Sequence, residues 1–351
     1  MDIRVEFTDL LTEIEDEMLS VLGTHDGAAR PLYEMLAYHL GLDERDGPRG
    51  KRIRPLLGLL AVQALGGDWR AALPGAAAVE LGHNFSLVHD DIEDHDTERR
   101  HRPTLWAIWG VPLAINAGDA LFALSRLALY RLIDAETDPA KVLRMMRVYD
   151  ETCLALCEGQ YLDISFERRV DVTVAEYMDM IARKTAALIG GSLEAGAIMG
   201  TEDPAVAAAF RRFGDDLGMA FQVADDVKGS FWSSDESGKV EAGDIRRRKK
   251  TLPVIWALTH ADPADRARLT EIYQPAILAT DGALPPDVDR RVGPDEVNEV
   301  LEILDRCGAR AHALAEARRL RDVALADIDA LPVEEARRGV LRAFVETVIA
   351  V

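Results

Sequence analysis

Leu87-Val88-His89-Asp90-Asp91-Ile92-Glu93-Asp94 closes an apolar run that begins at Ala76. The run has helical spacing, so Asp90 and Asp94 lie one turn apart on one face. Asp91 is turned aside but stays within reach of a shared ion. Neighbouring carboxylates repel unless a cation sits among them. Hard, oxygen-only ligands suit Mg²⁺, which takes one or two carboxylates and completes its shell with water and phosphate. An acidic helix end in an acidic protein is the plain alternative. Two features weigh against it: Arg99-Arg100 shortly beyond, and a second pair, Asp225-Asp226, far along the chain.

The chain has 351 residues, 48% of them hydrophobic, enough for a large buried core. A net charge of −20 argues against binding nucleic acid. Basic residues still gather in two islands, 49–54 and 246–250, which read as anion sites; solvated loops are the plain alternative. Cys153 and Cys157 are one helical turn apart, with no second cysteine pair and no histidine at zinc spacing. With Cys307 they read as small buried residues in a reducing cytosol, not as disulfides or a zinc site. No leader is expected at Met1-Asp2-Ile3-Arg4, and no run of about 20 uncharged apolar residues suggests a transmembrane span.

Nearly every segment has the 3.6-residue period, so the fold is read as all-α, a single domain over 1–351 with more than ten helices. Helices are expected over 7–22, 28–41, 52–66, 72–95, 112–134, 138–167, 173–200, 204–229, 249–260, 263–275, 295–306, 308–327 and 333–350. Loops are expected over 42–50, 97–104, 230–247 and 279–294. The Ala/Gly-rich run 186–200 suggests close approach of helices, and Gly190-Gly191 weakens its helix slightly.

Two aspartate pairs on two long helices, each followed by a basic loop, suit one chemistry. Mg²⁺ held by carboxylates would bind a diphosphate, basic side chains would complete the clamp, and diphosphate would depart. The cation left behind needs an apolar, water-free cavity, and residues 81–88 are placed to line it.

The ordered motifs identify the chain as similar to the trans-prenyltransferases, the polyprenyl synthetase family. They are Gly50-Lys51-Arg52-Ile53-Arg54-Pro55, the stretch from Glu80 to Asp94, Arg99-Arg100-His101-Arg102-Pro103-Thr104, Gly118-Asp119 and Gly159-Gln160-Tyr161-Leu162-Asp163. Lys184-Thr185, Phe221-Gln222-Val223-Ala224-Asp225-Asp226 and Lys249-Lys250-Thr251-Leu252-Pro253 complete the set. Each is weak alone; eight in order are specific. The resemblance implies Mg²⁺ as cofactor, up to three ions per active site with Mn²⁺ as a substitute. Asp90, Asp94 and Asp225 would be the metal ligands, with Asp91 completing the first motif and Asp226 supporting the second. Arg99, Lys184 and Lys249 would contact the allylic diphosphate, and Lys51, Arg54, His83 and Arg100 the isopentenyl diphosphate. Thr185 and Gln222 would steady positive charge beside the reacting carbons. The implied reaction joins isopentenyl diphosphate to dimethylallyl, geranyl or farnesyl diphosphate in a cytoplasmic homodimer.

Three departures stand out. The second motif normally ends in an aspartate where this chain has Gly229, and His101 and Arg248 replace glycines. Phe85 and Ser86, five and four residues before Asp90, would form the floor under the growing tail. One ring and one small residue imply a C15–C20 product, C20 favoured. A class I terpene cyclase and a non-catalytic synthase subunit are the competing readings. The retained Lys51, Arg54, His83 and Arg100 argue against the first, and the intact first aspartate motif against the second.

Overall fold

A helix that is apolar on all sides must be buried on all sides, and the helix carrying the first aspartates obeys this. In the computed structural model, which describes residues 2–44, 49–231, 242–274 and 292–350, the chain runs α1 (Ile3–Glu6), α2 (Thr8–Leu22), α3 (Arg30–Leu40), α4 (Ile53–Ala64) and α5 (Leu73–Glu93). A short pair, β1 (Glu98–Arg99) and β2 (Arg102–Pro103), precedes α6 (Leu105–Trp109), α7 (Val111–Asp134), α8 (Pro139–Phe166), α9 (Val174–Ile181), α10 (Ala187–Gly200) and α11 (Pro204–Phe231). Beyond these lie the helices Gly243–Arg246, Leu252–His260, Pro263–Tyr273, Pro294–Arg306, Ala309–Ala330 and Glu335–Val348. The architecture is all-α with more than ten helices. The expected loops over 42–50, 230–247 and 279–294 lie partly outside the described residues.

The chain forms two compact units. The first comprises Met1–Cys153, Leu188–Gly214 and Asp327–Thr347. In it, α5 begins with Pro74 in its first turn, where a missing N–H costs nothing. Ala77, Ala78 and Leu81 of α5 are fully buried. Phe85 meets Phe122 edge-on at 5.0 Å between ring centroids, and His89 Nε2 lies 3.3 Å from the carbonyl of Ile115. The two indices move in opposite directions, so α5 and α7 run antiparallel. Helix α2 adds a stripe, Leu10, Ile14, Met18 and Leu22, at four-residue steps. The other face of α7 leaves Leu113, Ile115, Leu127, Tyr130 and Ile133 exposed.

The second unit comprises Leu154–Ala187, Asp215–Ala326 and Val348–Val351. Its core includes Ile245, Val254, Leu269, Val300, Ile303 and Leu304. Among the described residues no helix is long and apolar enough to cross a membrane.

Several expectations are corrected. The helix expected over 173–200 is interrupted by a π-helical turn, Ala182–Ala186. The helix expected from 249 begins at Leu252, so Lys249 and Lys250 precede it. Loop 97–104 is pinned by the two-residue ladder β1–β2. Cys153 is buried but Cys157 is exposed, because α8 turns that position outward.

The Ala/Gly run does bring helices close. A Cβ on Gly196 would lie 2.1 Å from the carbonyl oxygen of Gly58, backbone against backbone. Gly196→Ala should force α4 and α10 apart and lower stability by about 1–3 kcal/mol, despite alanine's better helix propensity. Urea denaturation measures this; an unchanged midpoint would refute the contact.

Candidate active site

In the first unit, the last turn of α5 leaves Asp90 and Asp94 half-buried and sinks Asp91 to 2% exposure. Burial pushes the Asp91 carboxyl up to about 7, although Arg99 pulls it down. Arg99 Nε donates to Asp91 Oδ1 at 2.7 Å. Asp91 therefore holds Arg99 in place, while Asp90 and Asp94 share the accessible face. Arg99 arrives on the β1–β2 hairpin, whose two connecting residues, Arg100 and His101, are both left-handed, with φ of 53° and 60°. A two-residue turn with positive φ at both positions matches the twist of the paired strands.

The hairpin delivers Arg100 into a cation-rich patch. Arg54 Nη1 donates to His83 Nε2 at 3.1 Å. Burial, followed by Arg54, Arg100 and Arg99, holds His83 well below the usual histidine range, so it is neutral and accepts. His39 is depressed in the same way, by burial and then Arg100, Arg99 and Arg52. Burial lowers Arg100 to about 10. Buried atoms without a hydrogen-bond partner include Arg54 Nε, Arg100 Nη1 and His39 Nε2. Arg52 Nε also lacks a hydrogen bond, but this arginine is already ion-paired within the fold: Nη1 reaches Glu80 at 2.8 Å, Nη2 the carbonyl of Leu40 at 2.6 Å, and Nε lies 3.5 Å from Glu15. Lys51 is exposed. Buried cations with orphaned donors need an anion. Phosphate oxygens supply the matching acceptors.

In the second unit, Asp226 is 5% exposed. Tyr177 donates its hydroxyl to Oδ2 at 2.7 Å, Gln222 Nε2 donates to Oδ1 at 2.8 Å, and the Leu252 N–H approaches at 3.3 Å. Burial and the nearby Asp244 nevertheless raise the carboxyl to about 7. Asp225, one position earlier, is only half-buried. Thr185 donates to Gln222 Oε1 at 2.7 Å, and Lys184 Nζ donates to Asp163 Oδ2 at 2.5 Å. Both side chains stand on the π turn, where an added residue per turn re-aims them. Gly159 permits this: its Cβ would lie 2.3 Å from the Lys184 nitrogen. Burial opposes the Asp163 charge, but Lys184 and Lys249 prevail and hold its carboxyl low.

Asp163, Tyr177, Lys184, Thr185, Gln222, Asp226, Lys249 and Lys250 line one cleft. Lys250 is pushed down to about 8 by burial, and its Nζ lacks a hydrogen-bond partner. Sequence reasoning assigned no role to Lys250, His39, Tyr177 or Asp163. For Lys250 and Asp163 the signal was their place inside quoted motifs; His39 and Tyr177 carry none. Phe85 is half-buried against Phe122, and Ser86 is buried with its hydroxyl donating to the His83 carbonyl at 2.8 Å.

A sequence model of the family described as Polyprenyl synthetase matches residues 32–281. The chain belongs to the polyprenyl synthetase family. It is 39% identical over 316 residues to a (2E,6E)-farnesyl diphosphate synthase of Mycobacterium tuberculosis, covering 89% of this chain and 82% of that protein. It is 41% identical over 283 residues to a geranylgeranyl diphosphate synthase of the same species, covering 79% and 78%. The geranylgeranyl pyrophosphate synthetase structure from Pyrococcus horikoshii superposes with a TM-score of 0.86 at 33% identity, covering 99% of this chain and 98% of that one.

Two departures from the polyprenyl synthetase pattern now have a physical setting. His101 and Arg248 both sit at positive φ, 60° and 55°. Glycine adopts that conformation freely; other L-residues give up about 1–2 kcal/mol. Among the described residues no three His, Cys, Asp or Glu side chains form a metal cage. Mg²⁺ does not require one, since substrate phosphates supply part of its shell. The accessible carboxylates of Asp90, Asp94 and Asp225 fit that partial donor set.

Asp226 has a folded value near 7 against an ordinary value of 3.8. Its contribution to stability is therefore fully present below about pH 4 and lost as pH rises through about 7. In metal-free protein, wild type should gain on Asp226→Asn by up to about 1.4 kcal/mol per unit as pH falls from 8 to 6. Denaturation curves at several pH values measure this. A constant difference would show that Asp226 is ionised throughout.

Proposed function

We propose that this polyprenyl synthetase is a Mg²⁺-dependent trans-isoprenyl diphosphate synthase. It joins isopentenyl diphosphate to dimethylallyl, geranyl or farnesyl diphosphate and makes a C15–C20 product, C20 favoured. One observation carries the reading. An acid-bearing helix end stands beside a separate cation patch whose buried donors, Arg54 Nε and Arg100 Nη1, have no partner. A terpene cyclase handles one diphosphate and has no use for that second patch.

Asp90 and Asp94 would hold Mg²⁺ at the first acidic segment, and Asp225 would hold it at the second. When bound there, the metal would supply positive charge against the negative charge gathering on the leaving diphosphate. Arg99, fixed by Asp91, grips the allylic diphosphate with Lys184 and Lys249. Lys51, Arg54, His83 and Arg100 hold the isopentenyl diphosphate. The allylic C–O bond breaks and its electron pair leaves with diphosphate. The isopentenyl double bond then supplies the pair for the new C–C bond. A proton is lost to the departed diphosphate, leaving the trans double bond. Gln222, oriented by Thr185 and Asp226, presents its amide oxygen to the developing positive charge.

The farnesyl and geranylgeranyl names of the relatives support this product range. The match over 32–281 draws on residues of both units, which supports one synthase domain over 1–351. The exposed apolar side chains of α7 support a homodimer, and we place the enzyme in the cytoplasm.

Purified protein with Mg²⁺, isopentenyl diphosphate and each of the three primers should give a C15–C20 product, and chelation should abolish it. Asp90→Asn should lower kcat by roughly 10²–10³-fold. A hydrocarbon formed from geranylgeranyl diphosphate alone would favour the cyclase. Phe85→Ala should lengthen the product by one or more isoprene units on chromatography; unchanged length would place the floor elsewhere.

A further inference from the structure

Arg99 and Arg100 reach their places on a hairpin that has little of its own to hold it. The ladder is two residues long, and a two-stranded hairpin is marginal in water. Both connecting residues, Arg100 and His101, take left-handed φ without being glycine, which adds strain. The two arginines are also unequally secured. Arg99 is bonded to the buried Asp91. Arg100 lacks a hydrogen-bond partner at Nη1, and its guanidinium rests against Gly50, where a Cβ would lie 3.0 Å from Nη2. Its position therefore follows the hairpin backbone.

The second strand of the hairpin is fastened to the end of α3 at both of its residues. Arg102, opposite Arg99 in the ladder, grips Asp43 with a fork: Nη1 donates to Oδ1 at 2.9 Å and Nη2 to Oδ2 at 2.6 Å. Paired forks fix direction as well as distance. The Asp43 carboxyl is held below its ordinary range by this arginine, so the pair stays charged. The same guanidinium lies over the Tyr38 ring, 3.8 Å from its centroid. The Tyr38 hydroxyl donates to the Pro103 carbonyl at 2.9 Å, and Trp109 meets the Tyr38 ring edge-on at 5.4 Å. Tyr38, His39, Arg99, Arg100 and Arg102 line one small cleft, so the helix end that fastens the hairpin also borders the cation patch.

We propose that Asp43 and Tyr38 are positioning residues for the isopentenyl diphosphate site: by fastening Arg102 and Pro103 they set where the hairpin presents Arg100. Arg99 keeps its own anchor in Asp91, so loss of this latch is felt at Arg100. The inference rests on the reading of Arg100 as an isopentenyl diphosphate contact and of Arg99 as an allylic one.

Initial rates of the full chain with each substrate varied in turn, and calorimetric binding of isopentenyl diphosphate alone, test it. Asp43→Ala should weaken isopentenyl diphosphate in both measurements by about tenfold, within what a displaced binding group costs, and leave KM for the allylic primer unchanged. Tyr38→Phe keeps the ring but loses the bond to Pro103, and should shift the same parameter by less. Asp43→Glu can still pair with Arg102 and should restore most of the affinity. A latch that only stabilised the fold would not single out one substrate. Should Asp43→Ala melt below the assay temperature, Tyr38→Phe decides by the same comparison. Wild-type affinity for isopentenyl diphosphate in the variant that decides, or an equal loss for both substrates, would overturn the inference alone. A wild type that neither binds nor consumes isopentenyl diphosphate would overturn the reading beneath it.

Discussion

Asp226 is a buried carboxylate on which three donors converge from three elements: Tyr177 of α9, Gln222 of α11 and the backbone of Leu252. A buried carboxylate without donors would be expelled or neutralised. Its place therefore fixes the elements that supply them. Gln222, held by Asp226 on one side, accepts from Thr185 on the other. Thr185 stands on the π turn with Lys184, and Lys184 is held by Asp163. Hydrogen bonds thus run from the second aspartate motif to Thr185, and the π turn carries Thr185 next to Lys184, the lysine expected to meet the diphosphate. Such networks hold one geometry because each member loses its partner when another moves.

The first unit works by a complementary imbalance. Arg52 is paired through both terminal nitrogens, with Glu80 and the Leu40 carbonyl, and its Nε lies 3.5 Å from Glu15 Oε1. Arg54, two positions on, has only a neutral histidine at one nitrogen and no partner at Nε. The same local sequence thus provides one arginine that builds the fold and one that is held ready. Keeping His39 and His83 neutral lets guanidinium groups crowd together without further repulsion. A diphosphate would complete this patch, which is why prenyl transfer suits the arrangement better than ion-pair stabilisation does. Buried charges that lack full compensation weaken a fold, and they persist where a ligand repays the loss.

Much of the architecture was legible because its causes are local. Apolar spacing, Pro74 at the start of α5 and the glycines at helix ends are readable without neighbours. The motifs were legible because their order along the chain is unusual. The π turn was not, since residues 173–200 have unbroken helical spacing and the bulge depends on α8 packing through Gly159. The outward turn of Cys157 was also hidden, because i, i+4 spacing to a buried Cys153 does not fix which face of α8 is covered. What packs against Gly229 was hidden too, because Asp244 lies fifteen positions away, beyond any local pattern.

The sequence by itself determined that the chain is helical, which residue types carry the chemistry and to which family it belongs. These follow from periodicity, charge and motif order. Only the tertiary structure decided which carboxylates are buried and which are accessible: Asp91 and Asp226 are buried among donors, while Asp90, Asp94 and Asp225 are half-buried. It also decided which arginine is spent on the fold and what fills the space beside Gly229. The reason is physical. Desolvation and hydrogen bonding act between groups brought together by packing, and identical neighbours in sequence acquire different roles when one faces the interior and the other does not.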